Sequence, residues 1–156
     1  MSWSDLLRVA AFCLVAGCGF TPVYGPGGPG AALRDAVTVE AGETVLDYRL
    51  RVALEDRLGT GSAYRLAVAT RVDEVQAAVT SEGTITRFNL VGVAEWVLRD
   101  AAGAEVARGE VRGLTGYLTT GSTVATEAAA RDASGRLAVI LADQIVARLA
   151  MAMGAG

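Results

Sequence analysis

Cys13 and Cys18 are the only two cysteines among 156 residues, and both lie near the start of the chain. Thiols that close together beside a terminus cannot staple a fold, so a structural disulfide is not the reading. Histidine and lysine are absent; all 14 basic residues are arginine, set against 17 acids for a net charge of -3. Without histidine, and without cysteine after position 18, neither a zinc site nor a Ser-His-Asp or Cys-His arrangement can be assembled. Ser62 in Gly59-Thr60-Gly61-Ser62 has no base, and the glycines from Gly25 to Gly30 are interrupted by proline and followed by no lysine, which rules out a P-loop. The carboxylate neighbours Glu55-Asp56 and Asp73-Glu74 point apart on a helix or strand and read as solvated surface charge. No catalytic residue, metal-ligand set or cofactor site emerges. A pI near 5.0 also disfavours nucleic acid as a partner.

What remains for Cys18 is lipid chemistry. The apolar run Val9 to Ala16 ends in Gly17-Cys18. Eight residues are too few for a transmembrane helix, which needs about 20, but they suit the core of a cleaved signal peptide. Leu14-Val15-Ala16-Gly17-Cys18 resembles a bacterial lipobox, in which small residues admit the peptidase and the cysteine thiol carries diacylglycerol. The reading is residues 1–17 as lipoprotein signal peptide and Cys18 as lipid anchor, bearing diacylglycerol and palmitate. The alternative is a buried N-terminal helix with incidental cysteines. Gly19, rather than aspartate, resembles the signal that sends lipoproteins to the outer membrane. All three prolines, Pro22, Pro26 and Pro29, follow within a glycine-rich stretch, so residues 18–33 read as a tether. Nothing after Cys18 reads as a membrane span.

The elements of residues 34–153 follow from periodicity. Val37 to Glu40 alternates as a short strand. Leu46, Leu50, Leu54 and Leu58 mark a helix over Val45 to Leu58, capped by Thr44 and stopped by Gly59. Tyr64 to Val75, Thr86 to Arg99 and Glu105 to Leu118 alternate as strands, with Asp100 to Gly103 as a hairpin turn between the last two. A final helix over Val124 to Met153 carries the stripe Leu137, Leu141, Ile145 and Leu149; its first turns are expected to overhang and Gly135 to be a weak point or bend. The fold class is α+β: a two-layer sandwich in the order β-α-β-β-β-α, with two helices packed on one face of a four-stranded sheet.

One constellation is left. Alternation sends Arg65, Arg71, Arg87, Arg99, Arg108 and Arg112 to the face away from the helices, with Asp73, Glu95 and Glu110 among them. Guanidinium forks bind phosphate or carboxylate at two points, so such a face can meet an anionic lipid headgroup. An ordinary salt-bridged surface is the alternative.

Taken together, the lipobox, the start Cys18-Gly19-Phe20-Thr21-Pro22-Val23-Tyr24-Gly25, the Thr86-Arg87-x-x-Leu90 strand opening and the helix segment Leu141-Ala142-Asp143-Gln144-Ile145-Val146-Ala147-Arg148-Leu149 resemble the LptE family of lipopolysaccharide-assembly lipoproteins, in its alphaproteobacterial branch. The resemblance implies a two-layer fold and no enzymatic activity. It implies a lipid-anchored protein of the outer membrane that plugs and helps assemble the β-barrel LptD and binds lipopolysaccharide during its delivery to the cell surface. Lipopolysaccharide-binding basic residues are implied as well: Arg87 lies in the matching Thr-Arg segment, while Arg112 and Arg65 follow on geometry. A transport-auxiliary lipoprotein of an envelope lipid-trafficking transporter would share the lipobox and a small α/β domain, and differ in its partner.

Overall fold

In the computed structural model, Gly28 and residues 31–79, 85–119 and 121–154 are described. A single turn of 3-10 helix, Ala31–Leu33, leads into β1 (Val37–Ala41), α1 (Val45–Leu58), β2 (Tyr64–Val79), β3 (Ile85–Asp100), β4 (Glu105–Leu118) and α2 (Thr123–Gly154). The sheet runs β1-β2-β3-β4, with β1 parallel to β2 and the other neighbours antiparallel, so the expected four-stranded, two-helix α+β sandwich is the observed one. The expected signal peptide, residues 1–17, and Cys18, Phe20, Val23 and Tyr24 of the expected tether lie outside the described residues. Leu33, the last residue of the expected tether, is buried in the core, and the Asp35 amide donates to the Leu58 carbonyl at 2.7 Å, tying this segment to the end of α1.

Burial follows the two apolar periods. Leu46, Leu50, Leu54 and Leu58 of α1 and Leu137, Leu141, Ile145 and Leu149 of α2 are all buried against Val37, Val39, Leu66, Val68, Leu90, Trp96, Leu98 and Val111 of the sheet. Each such side chain contributes about 1.5–3 kcal/mol when withdrawn from water. The closest approach of the layers is at Leu137. Gly92 and Gly113 face each other across β3 and β4, and a Cβ on either would come within 2.9 Å of the Leu137 side chain. The paired glycines form the dimple in which α2 is seated.

Three features differ from the periodic reading. β2 continues four residues beyond Val75, through Gln76-Ala77-Ala78-Val79, where alanine erases the alternation. Val72, expected on the buried face, is 40% exposed, because α1 starts level with Thr70 and does not reach further along β2. α2 runs unbroken through Gly135, which makes room for a neighbouring guanidinium rather than bending the helix. The first buried residue of α2 is Ala133, so the turns before it are exposed or half-buried. By length and composition α2 could also cross a membrane, contrary to the expectation that nothing after Cys18 would; its apolar stripe is instead packed on the sheet.

The placement of α1 rests on Asp47, the buried acid of the core region. Thr44 and Asp47 form a capping box: the Thr44 hydroxyl accepts from the Asp47 amide at 3.1 Å, and Asp47 Oδ2 accepts from the Thr44 amide at 3.2 Å. Asp47 Oδ1 accepts from the Thr70 hydroxyl at 2.5 Å, which pins the helix start to β2. Burial pushes the Asp47 carboxyl upward, but the hydrogen bonds from Thr70 and Thr44 together outweigh it and hold the group below its ordinary value of 3.8. A carboxyl held low in the fold stabilises it above the ordinary carboxylate range, and that stability is lost as pH falls through the folded value. Asp47→Ala is expected to lower the unfolding free energy by about 1–3 kcal/mol at pH 7. The loss should shrink in acid; denaturant titrations giving the same loss at pH 7 and pH 3 would contradict this account.

Candidate functional site

Among the described residues, helices pack on only one of the sheet's two faces. Pairing of Arg65 with Arg99, Arg71 with Val93, Val93 with Arg112 and Val97 with Arg108 puts all of these side chains on the uncovered face. Arg87, opposite Leu118, belongs to the same face at the far end. The six arginines expected to share a face therefore do so, but they do not form one cluster. Arg65 and Arg87 lie twelve β3 positions apart in register, about 40 Å at the usual strand rise.

Ion pairing divides the arginines further. Arg65 Nε meets Glu40 at 3.0 Å, Arg108 Nε meets Glu105 at 2.8 Å, and Arg112 Nε meets Glu110 at 2.7 Å. Arg99 reaches Glu105 at 4.0 Å and the Gly103 carbonyl at 3.3 Å. Arg71 and Arg87 have no ion pair among the described residues. Of the three arginines chosen from sequence, Arg87 thus presents an uncommitted guanidinium, whereas Arg65 and Arg112 each share theirs with an acid.

Register also brings forward a residue that sequence reasoning placed on the face without choosing it. Arg71, Val93 and Arg112 form one row across β2, β3 and β4, with the outer two about 10 Å apart. Val93, in the middle of this row, is buried. Beyond this row Val75, Leu114 and Leu118 are exposed and Val91 is half-buried, with Asp73 opposite Val91 and Asn89 opposite Val75 on the same face. The far half of the face therefore combines exposed valine and leucine side chains with Asp73 and Asn89, between Arg71 and Arg112 at one end and Arg87 at the other. Alternation alone shows the face; only the cross-strand register shows which arginines share a row.

On the covered side of the same half, Phe88 and Tyr117 stack with ring centroids 5.5 Å apart, and the Tyr117 hydroxyl donates to Glu74 at 3.0 Å. Burial, then the hydrogen bond and the charge of Glu74, raise the Tyr117 phenol above its ordinary value of 10.0. No group of three or more His, Cys, Asp or Glu side chains able to hold a metal occurs among the described residues.

The fold is that of a set of solved bacterial lipoprotein structures. A lipoprotein candidate from Caulobacter crescentus superposes with a TM-score of 0.69 at 28% identity, covering 82% of this chain and 97% of its own. The rare lipoprotein B of Shewanella oneidensis gives 0.56 at 13% identity, covering 74% and 92%, and a lipoprotein B of Nitrosomonas europaea gives 0.57 at 18%, covering 79% and 85%. No curated protein matches the chain. Residues 34–149 match the lipopolysaccharide-assembly family LptE, and the chain belongs to that family.

Exposed ion pairs stabilise a fold by roughly 0–1 kcal/mol. Arg65→Gln and Arg112→Gln are accordingly expected to change the unfolding free energy by no more than about 1 kcal/mol. A larger loss in denaturant titration would make these arginines structural parts of the sheet rather than a surface available to a ligand.

Proposed function

We infer that this protein is a non-enzymatic, lipid-anchored lipoprotein of the outer membrane that plugs and helps assemble an LptD-like β-barrel and assists delivery of lipopolysaccharide to the cell surface. The observation that carries this reading is the family match across residues 34–149. The geometry supports it physically. A plug must be rigid and must present finished surfaces to a surrounding wall, and a two-layer domain with every core leucine buried meets the first need. An open sheet face bearing both guanidinium and apolar side chains suits the ligand, because phosphorylated acyl glycolipids offer charge and hydrocarbon together.

Residues 1–17 act in this reading as the signal peptide, Cys18 as the anchor and the following residues as a tether. Acyl chains contribute about 0.8 kcal/mol per buried CH₂, so several chains hold the domain at the membrane firmly. Arg87 and Arg112, with Arg65 further along the face, are the lipopolysaccharide-binding candidates; the row geometry adds Arg71.

Two outcomes are expected. Metabolic labelling with palmitate should mark the wild-type chain and be abolished by Cys18→Ser; undiminished labelling would refute the anchor. Charge reversal at Arg87 and Arg112 together should weaken lipopolysaccharide binding by the purified protein at least tenfold, and unchanged binding would remove the arginine face from the account.

A further inference from the structure

The helix-bearing side of the sheet has an opening of its own. α1 begins level with Thr70 of β2, while β2 runs on to Val79 and α2 continues over β3 and β4. The layers therefore gape at the start of α1, leaving a cleft of about 610 Å³. Its walls are mainly apolar, from Val45 and Leu46 of α1, Val72 of β2, Leu90 of β3 and Ala130 of α2. Val45 and Val72 are exposed to water in this state.

The polar lining of the cleft is Thr44, Arg49, Thr70, Glu74, Arg131 and Ser134. Arg49 of α1 and Arg131 of α2 both line it, and both also line a second cleft on the other side of them. The Arg49 guanidinium donates to the Arg131 carbonyl, and Arg131 Nε donates to the Glu127 carbonyl at 3.3 Å. Neither arginine has a carboxylate partner among the described residues. Glu74, which also lines the cleft, accepts from Tyr117, and Asp132 is paired with Arg136. Gly135 belongs to this arrangement, since a Cβ there would stand 3.0 Å from Arg49 Nη1. Glycine at that position lets the guanidinium lie close against α2.

A largely apolar cleft with two arginines that have no carboxylate partner among the described residues fits an anionic amphiphile. We propose that this cleft binds a single acyl chain carrying an anionic head group, with the hydrocarbon between Val45, Val72, Leu90 and Ala130 and the head group on Arg49 and Arg131. The volume lies within the range of small-molecule sites, and the lining has their usual composition, apolar walls with a few convergent polar groups. Guanidinium groups bind carboxylate and phosphate alike, so either a fatty acid or a lysophospholipid fits the chemistry. The site is separate from the open arginine face, on the opposite side of the sheet, and does not depend on it.

The test uses the full-length protein in phosphatidylcholine vesicles, with photoactivatable diazirine derivatives of palmitic acid, of lysophosphatidylglycerol and of palmityl alcohol. At least one of the two anionic probes should label the segments around Val45–Leu46 and Ala130–Ser134 at least tenfold more than the alcohol. Labelling by one anion alone would assign the source of the chain. Arg49→Gln with Arg131→Gln should bring anionic labelling down to the level of the alcohol, and Val72→Trp, which fills the cleft from its exposed edge, should abolish it. Thermal melting of each variant separates a lost site from a lost fold, and Arg131→Gln alone provides a milder variant if the pair melts early. Equal labelling by acid and alcohol, labelling confined to other surfaces, or labelling indifferent to Val72→Trp in a folded variant would overturn the proposal.

Discussion

The contact on which most of the architecture depends is Leu137 seated over the facing glycines Gly92 and Gly113. It sets how closely α2 approaches the sheet and places that helix along β3 and β4. The shorter α1, pinned by Asp47 to Thr70, is left to cover β1 and the first part of β2. Two helices so placed bury one face of the sheet completely at one end and incompletely at the other, and leave the second face without a layer. Both surfaces proposed to bind ligands, the open arginine face and the cleft between the layers, are consequences of that placement.

The edges of the sheet bear on the same question. A bare strand edge is a template for unwanted pairing. α2 guards the β4 edge: Gln144 donates to the Arg112 carbonyl at 2.9 Å and Arg136 donates to the Gly116 carbonyl at 2.9 Å. The β1 edge is only five residues long. A domain with one edge guarded and the other short keeps its uncovered face available without inviting extension of the sheet, which suits a protein lodged against another molecule. The interspersed acids have a similar effect. Glu40, Glu105 and Glu110 neutralise the arginines nearest them and leave Arg71 and Arg87, on the more apolar half, as the places where positive charge is unspent.

Much of this was legible in the sequence because the two periods are clean. The four-residue spacing of Leu46 to Leu58 and the stripe Leu137 to Leu149 placed both helices, and alternation placed all four strands and assigned the six arginines to one face. Strand ends were less legible: Ala77-Ala78 carries no alternation, so the last four residues of β2 were missed. Whether Val72 is covered depends on where α1 begins in space, which no local pattern encodes. Gly135 read as a weak point because its neighbour Arg49 comes from another helix, 86 positions away in the chain. For the same reason the pairing of Arg49 with Arg131 had no sequence signal, and the row Arg71-Val93-Arg112 required the register of three strands. The lipobox is legible only in sequence, since Cys18 lies outside the described residues.

The central claim is that the domain serves as the lipid-tethered plug of an outer-membrane barrel. It is tested most directly by isolating the tagged, lipidated protein from its native outer membrane in mild detergent and identifying its partner by mass spectrometry. The account predicts a large β-barrel recovered in one-to-one ratio with the lipoprotein. Recovery of a lipid-shuttle transporter in its place, or of no barrel at all, would contradict it.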